Sequence, residues 1–83
     1  MKSYAVVFTY SFDSDVAVYL FDTEEEAKAY LLGCLHEEMR IQTEENCWDS
    51  EYTLTNDGWE ATIISHMRFG DDVMKIRIGR VYS

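Results

Sequence analysis

Asp22-Thr23-Glu24-Glu25-Glu26 constrains this chain more than any other stretch. Asp and Thr both serve as helix N-caps, and a Glu three residues later completes a capping box. Asp22 with Glu25, or Thr23 with Glu26, therefore predicts the start of a helix. Three acids in the first turn also suit the positive end of the helix dipole. The spacing beyond predicts a helix from about Thr23 to about Thr43. On a wheel of 100° per residue, Ala27, Tyr30, Leu31, Cys34, Leu35, Met39 and Ile41 share one broad face. Gly33 interrupts the helix at a cost of about 1 kcal/mol.

Both sides of this helix read as strands. Tyr4 to Tyr10 alternates, with Tyr4, Val6, Phe8 and Tyr10 on one face and Ala5, Val7 and Thr9 on the other. Phe12-Asp13-Ser14-Asp15 has turn chemistry, and Val16 to Phe21 is a second strand, apolar on both faces. After the helix, residues 44–50 read as a loop. Glu51 to Thr55 predicts a short strand, and Asn56-Asp57-Gly58 a hairpin turn. Trp59 to Met67 follows, with Trp59, Ala61 and Ile63 on one face. Phe69-Gly70-Asp71-Asp72 turns the chain again. The last strand, Val73 to Tyr82, sets Met74, Ile76 and Ile78 against Lys75, Arg77 and Gly79. The expected fold is a single α+β domain of order ββαβββ, its five-stranded antiparallel sheet covered on one face by the helix. Short connections favour pairing within strands 1–2 and within 3–4–5.

Charge narrows the function classes. The 83 residues carry 16 acids and 7 bases, a net charge of -9. That balance argues against direct binding to nucleic-acid phosphates, which draws on clustered Lys and Arg. No apolar run approaches a membrane span, and Met1-Lys2-Ser3-Tyr4 leads straight into strand, so a cytoplasmic protein is expected. Residues 1–60 hold 14 of the acids and 3 of the bases, leaving the last strand mildly basic. If that strand lies beside the helix, the two complement each other within the fold.

The stretch from Tyr4 to Gly33, above all Phe21-Asp22-Thr23-Glu24-Glu25-Glu26-Ala27, resembles a family of small acidic bacterial proteins of uncharacterised function. Glu44-Glu45-Asn46, Asp57-Gly58-Trp59, Phe69-Gly70-Asp71-Asp72 and Ile78-Gly79 add to the resemblance. It implies an origin in mobile elements or phage-derived regions, and it carries no catalytic residues.

Chemistry finds little purchase. His36-Glu37-Glu38-Met39-Arg40 has Arg where a zinc-binding H-E-x-x-H needs its second His. Asp13-Ser14-Asp15 begins like a calcium loop, but Ala17 stands at the third ligand position. No metal or cofactor is expected. Cys34 lies on the apolar helix face, where a thiol is inert, and Cys47 sits among Glu44, Glu45 and Asp49, which oppose a thiolate. Both read as reduced thiols, and a thiol enzyme using Cys47 and His66 is disfavoured. Glu38 falls inside the apolar arc. It either reaches water at the helix end or pairs with Arg77 or Arg80.

The expected function is therefore non-enzymatic binding of a basic protein partner. The expected site is the outer helix face, Glu25, Glu26, Glu37 and Glu44, with Ala29 and Gly33 between them and Glu45 and Asp49 extending it. One version has the carboxylates imitate nucleic-acid charge and block a nucleic-acid-binding enzyme. Strand 2 also has apolar residues on both faces, whereas one helix covers only one. The remainder calls for a loop (Trp48 and Tyr52), for sheet curvature, or for a second copy docked around Tyr19 and Phe21.

Overall fold

Side chains alternate along a strand, so pairing register decides which residues meet the helix. A computed structural model describes residues 2–11, 13–68 and 70–81, with the side chains at 13 and 15 excepted. The elements are β1 (Tyr4–Tyr10), β2 (Asp13–Phe21), α1 (Glu24–Arg40), a π turn (Ile41–Glu45), β3 (Asp49–Leu54), β4 (Glu60–Met67) and β5 (Gly70–Arg80). The five strands form one antiparallel sheet in the order β2-β1-β5-β4-β3, so the fold is α+β with the expected ββαβββ order. First and last strands pair at its centre, from Tyr4 opposite Arg80 to Tyr10 opposite Met74.

That register puts Val6, Phe8, Ala61, Ile63, Met74, Ile76 and Ile78 on one side of the sheet, where α1 lays Ala27, Leu31 and Leu35 against them. Leu31, Leu35, Ile76 and Val6 are the largest fully buried side chains. Tyr30 extends the core over β2, its ring centroid 5.3 Å from Tyr19 and 5.0 Å from Phe21. Trp59 closes the other end, edge-on to Tyr4 with centroids 6.0 Å apart and under the Arg80 guanidinium at 5.6 Å.

Of the two capping alternatives, Thr23 is the cap. Its hydroxyl accepts from the Glu26 backbone N–H at 3.2 Å and donates to Glu26 Oε1 at 3.0 Å. The Asn56-Asp57-Gly58 turn also forms as expected. Asp57 Oδ1 accepts from Thr55 Oγ1 at 2.6 Å and from the Trp59 N–H at 3.0 Å, and Gly58 supplies φ 75°.

Several boundaries differ from expectation. α1 gives way to the π turn at Ile41 rather than continuing to Thr43. Residues 44–50 are not one loop, since Glu44 and Glu45 belong to that turn and β3 begins at Asp49. β3 ends at Leu54 and β4 starts at Glu60. The turn residues Asp13, Ser14 and Asp15 belong to β2, with Asp13 paired to Tyr10 across an irregularity in the register, and Gly70, Asp71 and Asp72 are paired to β4, because ladder bonds outweigh local turn preference. Phe12, Phe69 and Tyr82, which those readings include, lie outside the described residues.

The surplus apolar surface lies on both sides of β2, since Tyr19 stays 47% exposed. Tyr19 and Phe21 point to the helix side, packed against Tyr30. Val16, Val18 and Leu20, on the open side of edge strand β2, are 56%, 52% and 49% exposed. Trp48 and Tyr52 do not cover them, because Tyr52 pairs with Ile63 on the helix side and Trp48 lies at that same end.

Candidate functional site

The acidic surface forms on the outside of α1. Glu25, Glu26, Ala29, Gly33, Glu37, Glu44 and Glu45 are exposed there, whereas Asp49, also exposed, pairs opposite His66 on the side of the sheet away from α1 and so does not extend this surface as expected. No heavy atom lies within 4 Å of where a Gly33 side chain would begin. The surface carries its own counter-ion, which sequence reasoning passed over although the spacing of Glu37, Arg40 and Glu44 is the standard one for helical ion pairs. Arg40 Nη2 donates to Glu37 Oε1 at 2.7 Å and Nε donates to Oε2 at 3.2 Å. Its Nη1 lies 3.5 Å from Glu45 and 3.9 Å from Glu44. The guanidinium holds the Glu37 carboxyl below its ordinary range, and Arg40 is itself shifted up by the same bond. Glu25 and Asp49 have no ion pair among the described residues.

The bases of β5 do not offset this surface. Lys75 and Arg77 pair opposite Thr9 and Val7, which puts them on the side of the sheet away from α1. Arg80 is on the helix side but stacks on Trp59. The expected complement between helix and last strand is therefore absent: Arg77 lies opposite Glu60 instead, on a face that also carries Glu51 and Asp71 around His66. Glu38 makes no ion pair with Arg77 or Arg80 among the described residues.

Glu38 instead lines a cavity of about 340 Å³ at the C-terminal end of the helix. Ile63 and Met74 form its apolar floor, and the Tyr10 and Trp48 rings stand at its sides. Glu38, Asp72, Gln42, Asn46 and Ser65 supply the polar lining. The backbone builds it. Widening the last turn to π geometry gives a bond from Asn46 N–H to Ile41 carbonyl at 2.9 Å, and it brings Asn46 Nδ2 within 3.0 Å of Gln42 Oε1. Cys47 then takes φ 57°, the left-handed conformation that closes many helices. Trp48 N–H returns to the Gln42 carbonyl at 2.8 Å, setting the indole against the cavity. Buried Ser65 shares a 2.9 Å hydroxyl bond with Ser50 across β3 and β4. The sequence signal for this cavity was Glu38 inside an apolar arc, followed ten residues later by a tryptophan.

The thiol and imidazole groups stand apart from one another. Cys34 is half-buried, and burial pushes its thiol up. Cys47 is exposed, its Sγ 3.9 Å from the Glu44 carbonyl oxygen. A maleimide should therefore label Cys47 on the order of ten times faster than Cys34 in the folded protein. Equal rates in C34S and C47S single variants would contradict the helix packing.

His66 is held from both sides, with Nδ1 3.0 Å from Asp71 Oδ1 and Nε2 3.3 Å from Glu51 Oε1. Those carboxylates, Asp71 first, raise its pKa. A raised folded-state pKa makes the charged form more favourable in the folded protein. The resulting stabilisation is complete below the unfolded value of about 6.5 and fades as pH rises through the folded value. Urea midpoints should fall between about pH 6 and pH 8 in the wild type. H66Q should lose that part of the slope, and an unchanged slope would exclude His66 as its source.

No group of three or more His, Cys, Asp or Glu side chains among the described residues is arranged to hold a metal ion. Nor is any described helix long and apolar enough to cross a membrane. Comparison with protein families, with curated proteins and with solved structures finds no match.

Proposed function

We propose that the protein is a binding module whose acidic helix side engages a basic protein partner, and that it acts by occupancy rather than catalysis. One observation carries this reading: Lys75 and Arg77 leave the sheet on the side opposite α1, so the helix-side carboxylates keep their charge toward solvent. Arg40 offsets only part of it, at the Glu37, Glu44 and Glu45 end. Such a field raises the rate of encounter with a cationic surface, and salt weakens it. Ala29 and Gly33 leave the middle of the face without bulk, so a partner can approach the helix backbone closely.

The test is charge reversal. E37K/E44K should remain folded, since exposed substitutions shift stability by about 0.5 kcal/mol each. The same double variant should lose a basic protein that the wild type captures from native lysate at low salt. Capture by the wild type should also fall as salt rises. The control K75E/R77E, on the opposite side, should retain the partner. Undiminished binding by E37K/E44K would exclude the helix face.

A further inference from the structure

We infer that the cavity at the C-terminal end of α1 binds an alkylammonium group with an apolar stem. Two carboxylates, Glu38 and Asp72, line one cavity, and neither has a hydrogen-bond or ion-pair partner among the described residues. The same cavity has an apolar floor, Ile63 and Met74, beside the rings of Tyr10 and Trp48. A cation fits such a place for three separate reasons. The carboxylates attract it, aromatic faces attract it through their quadrupole, and the last turn of a helix presents the negative end of the dipole.

The lining also selects the kind of cation. Hard metal ions require about six or more oxygen ligands. Here no third Asp, Glu, His or Cys among the described residues is grouped with Glu38 and Asp72, Gln42 Oε1 already accepts from Asn46, and the Ser65 hydroxyl bonds Ser50. An ammonium head on a short aliphatic stem matches both halves: the head faces Glu38 and Asp72, and the stem covers Ile63 and Met74. A volume of about 340 Å³ lies at the lower end of small-molecule sites. This inference goes beyond the outer helix face, since Glu38 and Asp72 are not part of it. The same chemistry is offered by a free amine and by a lysine side chain of another protein.

Two probes and a neutral control test it: n-pentylamine, an N-acetylated and C-amidated Gly-Gly-Lys-Gly-Gly peptide, and n-pentanol. Each is titrated into ¹⁵N-labelled protein at pH 7, where the amines are charged. The Trp48 indole N–H, assigned with W48F, is read together with the side-chain amides of Gln42 and Asn46. Saturable shifts at these groups with either amine, and none comparable with pentanol, are expected. Tighter binding of the peptide identifies a protein lysine as the source, and tighter binding of pentylamine identifies a free amine. E38Q/D72N should weaken binding of the favoured amine by about tenfold or more, as loss of a charged hydrogen-bond partner does. Equal response to pentanol, or no response to either amine, overturns the inference. Unchanged affinity in a folded E38Q/D72N does so as well. The comparison of charged and neutral probes on the wild type decides the matter even if that variant fails to fold.

Discussion

Leu31→Ala should remove a large part of the stability of this protein. Leu31 is fully buried at the centre of α1, within the cluster that includes Val6, Phe8 and Ile76. Truncation loses the transfer free energy of the removed carbons and leaves a cavity that neighbours on a hydrogen-bonded sheet cannot collapse to fill. Such changes cost about 2–5 kcal/mol. A domain of 83 residues is stable by roughly 4–12 kcal/mol in all. The Tm should therefore drop by on the order of 15 °C or more. The neighbouring Leu32 is 40% exposed on the outer side, and Leu32→Ala should change stability by only about 0.5 kcal/mol. Comparable losses for the two variants in urea or thermal unfolding would mean that the helix is rotated from the position described.

The second large effect is expected at the N-cap. Thr23→Ala removes the hydroxyl that accepts from the Glu26 N–H and donates to the Glu26 carboxylate. The freed N–H returns to water, and the Glu26 side chain loses its local anchor. The cost should be about 1 kcal/mol. Thr23→Ser keeps the hydroxyl and should lose far less, which separates capping from mere loss of volume. The acids that follow would then lack a fixed helix start against which to act on the dipole, so far-UV ellipticity should fall at the N-terminal turn. If Ala and Ser variants unfold at the same urea concentration, the cap contributes nothing.

These two predictions rest on the parts of the molecule that local chemistry specifies. The Thr23 cap, the buried face at Ala27, Leu31 and Leu35, the β1 alternation and the Gly58 turn each depend on residues a few positions apart. Spacing alone reveals them, and the ββαβββ order follows from their succession. Strand ends were less legible. Asp13, Asp71 and Asp72 have turn-forming side chains, yet neighbouring strands at those places supply ladder partners. A turn preference is worth less than paired backbone groups, and nothing in the local sequence announces the partner.

The candidate sites divide along the same line. The outer helix carboxylates were visible from the wheel, because one helix places them without help from the rest of the chain. Their net effect was not visible. It depends on which side of the sheet α1 covers, and that choice sends Lys75 and Arg77 away from the helix. The cavity needed the whole fold. Tyr10, Glu38, Trp48 and Asp72 come from four separated segments, and they meet because β1 pairs with β5 while the π turn and Cys47 swing Trp48 inward. By itself, then, the sequence determined the elements, their order and the buried stripe of the helix, since those follow from side-chain periodicity and backbone capping within a few residues. Only the tertiary structure decided where the charges face and which polar groups share a cavity, because long-range strand register is set by the packing of all the elements together.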